Sequence, residues 1–263
     1  MAVTKSSNAA LYISHNPENN LRLKNALANL GEDRSIALAK RVARDLNVKW
    51  EDGVGVVFNA IVKDPARVPG NIGGKNDSEN DAITKWLKKY QGGKDGRASQ
   101  RISNISGTVP DPILEEIISA KIVRLAESDL GKIRDAHRLS MSAENILGLI
   151  LEEYLATHLE SHGWHCAWGE TIKSVDFVHE DGRLLQIKNR SNSENSSSSA
   201  VRDGTEIKKW FRIKANRIEY MWESLNTFCG TDTLSEESFV NFVQTTLKAN
   251  PACLAVEESN LWV

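Results

Sequence analysis

Asp176, Gln186 and Lys188 are the residues whose types and spacing can do chemistry together. Two apolar, β-prone stretches, SVDFV (174–178) and RLLQIKN (183–189), flank the turn signal Glu180-Asp181-Gly182, so a hairpin is expected. Alternate side chains of a strand share a face, which points Gln186 and Lys188 one way and turns Leu185 and Ile187 into the core. Asp176, on the adjoining strand, is then able to face them. A carboxylate, an amide oxygen and an ammonium would converge on a small volume. Hydrolysis of a phosphodiester needs that inventory. Carboxylate and carbonyl-type oxygens hold Mg²⁺. The metal polarises the phosphate and lowers the pKa of bound water. A neighbouring lysine orients or deprotonates that water and stabilises the developing charge. Asp and Lys near strands are common, so the weight falls on the elements that must position them.

Upstream, Ile146, Leu147, Ile150, Leu151, Tyr154, Leu155 and Leu159 recur at helical spacing. Ser142 reads as the N-cap, Glu144 as a first-turn acid and Gly163 as the stop. WHCAW (164–168) reads as a first strand. Downstream, a polar run (190–205) leads into the basic aromatic stretch IKKWFRIK (207–214). A DNA-recognition loop over 189–214 is expected. Asn189, Arg190, Asn192, Asn195 and Arg202 have side chains suited to base edges. Ser197 and Thr205 suit phosphates, and Lys208, Lys209 and Arg212 suit positioning of the backbone. The competing reading of the serine run is a plain linker. Trp164 and Trp168 read as core, and Trp210 and Phe211 as core anchors or wedges against DNA. A C-terminal helix is expected over 235–248. Earlier in the chain, residues 21–50 read as helix, 51–62 as strand or helix, 64–81 as loop, 82–90 as a short helix carrying Trp86, 91–110 as loop and 111–127 as helix.

The chain has 263 residues, 40% hydrophobic and 26% charged, enough for a sizeable core. No apolar run approaches the roughly 20 residues that span a bilayer, and residues 1–20 lack an apolar leader segment. A cytoplasmic protein without membrane contact is expected. Cys166, Cys229 and Cys253 are sparse and far apart, so they read as reduced thiols. His162, His165 and Cys166 are zinc-type donors without a second cluster, and read as packing residues. The net charge is −2, yet residues 183–217 hold nine Lys/Arg against three acids. That asymmetry fits a localised polyanion site or a solvated face. There is no Walker loop, dinucleotide fingerprint or GxSxG elbow.

Asp176 followed ten residues later by Gln186-x-Lys188 resembles the core of the PD-(D/E)xK nucleases, in the variant where glutamine replaces the second acid. Residues 148–163, with Gly148, Glu152, Ala156, Leu159 and Gly163, resemble the G-x-x-[FL]-E-x-x-x-A-x-x-L-x-x-x-G helix of Mrr-like nucleases. The resemblance implies that Glu152 reaches the metal site, with Glu153 and Glu144 as alternatives. Val175 stands where the family has proline. The polar, basic sequel resembles type II restriction endonucleases, and most of all the SinI/AvaII type, which implies cleavage of duplex DNA at GGWCC. The resemblance further implies an α/β, restriction-endonuclease-like fold: a mixed central sheet flanked by helices. A mainly helical N-terminal region, 1–105, would embrace DNA or dimerise, and 106–263 would form the catalytic core. A palindromic target implies a homodimer. The rival expectations are a modification-dependent or repair nuclease on the same residues, and a DNA-binding module with a degenerate core.

Overall fold

A computed structural model describes residues 22–74, 77–105, 111–122, 124–190, 206–214, 217–260 and 262. Four helices open the described chain: α1 (Arg22–Leu30), α2 (Glu32–Asp45), α3 (Gly55–Lys63) and α4 (Glu79–Asp95). After α5 (Ile113–Lys121) and the long α6 (Glu127–Leu159) come β1 (Trp164–Cys166), β2 (Phe177–His179), β3 (Leu184–Arg190) and β4 (Ile207–Ile213). The chain closes with α7 (Trp222–Cys229) and α8 (Glu236–Ala249). The strands form one sheet in the order β1-β2-β3-β4, antiparallel across the first two pairs and parallel between β3 and β4. This is the expected mixed sheet flanked by helices. No helix of the described residues is long and apolar enough to cross a membrane.

The hairpin turns where the sequence signals it, but its first strand is Phe177–His179 instead of 174–178, so Asp176 falls just before it. Gly182 takes φ +95° at the turn, a conformation that disfavours any residue with a Cβ. Gly163 likewise ends the α6 region at φ +75°. Ser235 caps α8, accepting from the backbone N–H of Ser238 at 3.1 Å.

Two local expectations are corrected, and one that the sequence left open is decided. Ser142 does not cap a helix. α6 starts fifteen residues earlier, where the Asp129 carboxylate accepts from the backbone N–H of Ala126 at 3.1 Å. It then runs unbroken for 33 residues, about 50 Å. Residues flanking Ser142 are good helix formers, so a serine there is tolerated in the interior. The short helix over 82–90 extends to 79–95. The Ser78/Asp81 capping box opens it, and Gly92 and Gly93 continue it. A Cβ on Gly93 would lie 2.2 Å from the backbone nitrogen of Gly169, so glycine there lets helix and loop backbones touch. Finally, 51–62 resolves as helix α3 behind a π-turn at Trp50–Val54.

A continuous apolar core joins N-terminal helices to the sheet. It includes Leu23, Phe58, Trp86, Tyr154, Trp164, Phe177, Trp210 and Phe239. Burying each such side chain contributes about 1.5–3 kcal/mol. α6 packs on β1 and β3, α3 on β1 and β2, and α8 on α6. Trp164 and Trp168 are core residues, as expected. Trp210 is also buried, and its indole N–H donates to the Met221 carbonyl at 2.9 Å.

Candidate active site

Asp176 lies one residue before β2 and is tied to both neighbouring strands. Its backbone N–H donates to the Leu185 carbonyl at 2.9 Å, and its own carbonyl accepts from Ala167 at 2.8 Å. β2 and β3 pair Phe177 with Leu185 and Val178 with Leu184. At Asp176 the backbone steps one residue off that register, bonding to Leu185, which already pairs with Phe177, and the side chain reaches along β3. One carboxylate oxygen of Asp176 accepts from the backbone N–H of Ile187 at 2.7 Å. Burial nonetheless pushes its pKa up to about 6, against the lowering effect of that bond and of the Lys188 charge.

Gln186 is 8% exposed. Its buried Oε1 accepts no hydrogen bond from the described residues. An unmet buried acceptor costs about 1–3 kcal/mol, so this oxygen is poised for a donor or a cation. Glu152, half-buried on α6, has its pKa pushed up to about 8, first by burial, then by the charges of Asp176 and Glu170. Lys188 has its pKa lowered by burial and by Lys209, with Asp176 opposing. Glu152, Asp176, Gln186 and Lys188 therefore occupy one neighbourhood, with two carboxyls that resist ionisation beside an unsatisfied amide oxygen.

The other two acids of α6 go elsewhere. Glu153 is buried and accepts from the Ser99 backbone N–H at 2.8 Å and from its hydroxyl, while pairing with Arg97 Nε at 3.2 Å. Glu144 is exposed. Among the described residues no three His, Cys, Asp or Glu side chains group as a metal cluster. The candidate donor set is two carboxylates and an amide oxygen. That set suits a hard cation which keeps several of its own waters. His165 pairs with Glu180 at 3.3 Å and Cys166 is buried, so HGWHC forms packing rather than a zinc site.

The proposed DNA contacts are dispersed. Asn189 accepts from Arg212 Nε at 2.8 Å, and Arg212 is buried and also pairs with Glu236. These two engage each other inside the fold. Arg190 and Lys208 are exposed, and Lys209 is half-buried. Asn192, Asn195, Ser197, Arg202 and Thr205 lie outside the described residues.

Sequence reasoning missed Glu170. It sits in the β1–β2 loop at φ +53°, and its charge raises the pKa of both Glu152 and Asp176. The only signal available was an acid six residues before Asp176. The loop that carries it is held by Trp86, whose indole N–H donates to the Thr171 carbonyl at 3.0 Å.

Residues 61–249 match the model of the SinI restriction endonuclease family. The chain is 42% identical over 146 residues to the type II restriction enzyme SinI of Salmonella infantis, covering 54% of this chain and 63% of that one. It is 44% identical over 142 residues to the type II restriction enzyme Eco47I of Escherichia coli, covering 52% and 61%. The matched stretch thus spans about three fifths of these relatives' length.

Proposed function

The chain belongs to the SinI restriction endonuclease family, and on that premise we propose that it is a type II restriction endonuclease. It hydrolyses phosphodiester bonds of double-stranded DNA at a short palindromic site, with Mg²⁺ as cofactor and GGWCC as the first sequence to test. The single observation that carries the site assignment is the orphaned Oε1 of Gln186 beside the Asp176 carboxyl.

Asp176, Gln186 and Glu152 would hold the ion. When bound, it polarises the phosphate and acidifies a water. The protein's own residues do the rest. The Ile187 N–H fixes the Asp176 carboxylate. Lys188, two residues from Gln186 on the same face of β3, orients the attacking water or takes its proton. Its lowered pKa favours that role. Arg190, Asn192, Asn195, Ser197, Arg202, Thr205 and Lys208 are the contacts proposed along the duplex. The helices of 1–105 embrace DNA or dimerise, and a palindromic target calls for a twofold homodimer. We place the enzyme in the cytoplasm, where its DNA substrate is.

Incubation with plasmid DNA and Mg²⁺, followed by sequencing of the ends, tests this reading. Discrete cuts at one repeated sequence are expected, and none in EDTA. DNA binding without any product under Mg²⁺ would mean a degenerate core. Cutting only of methylated DNA would mean a modification-dependent nuclease.

A further inference from the structure

β4 runs parallel to β3, setting Lys209 beside Gln186 and Phe211 beside Lys188. Side chains alternate along both strands, so Lys209 and Phe211 share the face of Gln186 and Lys188. Lys208 and Trp210 take the opposite face, and that face is filled. Trp210 is buried there, and the Lys208 ammonium lies over the Phe228 ring at 5.8 Å. Lys209 is therefore the one residue of the Lys208-Lys209 pair that shares the face of Gln186 and Lys188.

Its surroundings are unusual for a half-buried cation. The ammonium of Lys209 lies over the Phe211 ring, 5.4 Å from its centroid. Among the described residues no carboxylate pairs with it, whereas Arg212 on the same strand and Lys214 just beyond it both have acidic partners. It stands close enough to Lys188 for its charge to depress that neighbour's pKa. The two ammonium groups are diagonal neighbours on one face, and an anion between them would relieve their repulsion.

We propose that Lys209 grips the non-bridging oxygens of the scissile phosphodiester, so that two lysines on adjacent strands frame one phosphate above Gln186. This rests on the nuclease reading and deepens it. Lysine offers a compact point charge well suited to a phosphate. The negative charge on the phosphoryl oxygens grows as water attacks, so the contact strengthens toward the transition state and raises the rate more than the affinity. Lys188 is left to the water. The alternative is a contact to a flanking phosphate, which would change affinity and leave the rate alone.

The test compares wild type, Lys209→Met and Lys209→Arg on a duplex carrying the mapped cut site. Single-turnover cleavage is measured in Mg²⁺ and duplex affinity in Ca²⁺. Lys209→Met is expected to slow cleavage by about 10²–10³-fold, with affinity weakened by less than about tenfold, and Lys209→Arg to recover at least a tenth of the wild-type rate. A methylphosphonate at the scissile position removes the charge at issue. It should weaken wild-type binding clearly more than Lys209→Met binding, whereas one placed two nucleotides away should weaken both alike. An unchanged rate in Lys209→Met, or coupling only to the flanking phosphate, overturns the proposal while the nuclease reading stands. A wild type that cuts no DNA under any of these conditions sinks both.

Discussion

Lys188 and Glu152 carry the sharpest expectations at the residue scale. Lys188→Ala should lower cleavage by about 10²–10⁴-fold and spare duplex binding, measured by single-turnover assay beside a binding titration in Ca²⁺. Full cutting by that variant would remove Lys188 from the mechanism. Glu152 and Asp176 titrate near 8 and near 6 instead of in the ordinary carboxylate range. Raising an acid's pKa in the folded state means that the folded form holds the proton more tightly than the unfolded chain. The resulting stability is complete below about pH 4 and is lost as pH rises through 6 and then 8. The metal-free protein should therefore be less stable at pH 8 than at pH 5.5, by on the order of a few kcal/mol, and should melt at lower temperature. Glu152→Gln should flatten the upper part of that profile, and Mg²⁺ should raise the Tm most at pH 8. Parallel Tm profiles for wild type and Glu152→Gln in calorimetry would show that Glu152 is not the group resisting ionisation.

Adjacent acids on one helix do opposite things, which is an effect of the element that carries them. Consecutive residues of α6 point about 100° apart. Glu152 turns toward the sheet end that holds Asp176, and Glu153 toward the segment Arg97–Ser99. Glu153→Ala leaves Arg97 and the Ser99 N–H without their acceptor. It should cost about 2–4 kcal/mol, read as a lower urea midpoint, while cleavage at low temperature persists. Equal stability in Glu153→Ala would mean that the ion pair contributes nothing net. Glycine plays a comparable part in the β1–β2 loop. Gly169 has φ +72°, and a Cβ there would lie 2.3 Å from the Lys89 carbonyl oxygen. Gly169→Ala should destabilise the fold by about 2–3 kcal/mol, because α4 and the loop leading to Asp176 would have to part. An unchanged urea midpoint in that variant would show that the contact is easily relieved.

At the scale of the whole molecule, the N-terminal helices and the sheet share one core, so the site is braced by elements far away in sequence. α4 reaches the β1–β2 loop through Trp86 and Gly93. The proposed twofold assembly predicts two protein chains per duplex in sedimentation with the mapped site. Affinity should also fall steeply with salt, with a log–log slope near −0.9 for each phosphate neutralised. A single chain bound per palindromic duplex would contradict the homodimer.

Period-two and helical patterns are local properties, and the sequence alone determined the hairpin, its turn at Gly182, the stop at Gly163 and the cap at Ser235. That Gln186 and Lys188 share a face of β3 was legible for the same reason, whereas Asp176 falls just before β2 and is held near them by its bond to the Ile187 N–H. Elements whose extent depends on packing were not legible. α4 runs through two glycines because Gly93 meets Gly169, and α6 passes Ser142 because nothing there competes with the helix. The partnering of Arg212 with Asn189 and Glu236, the separation of Glu152 from Glu153, and the place of Lys209 beside Gln186 all depend on tertiary contacts. The contacts of Arg212 and Lys209 bring together residues 23 or 24 positions apart in ways that no local periodicity encodes, because parallel strand pairing and helix–sheet packing are long-range.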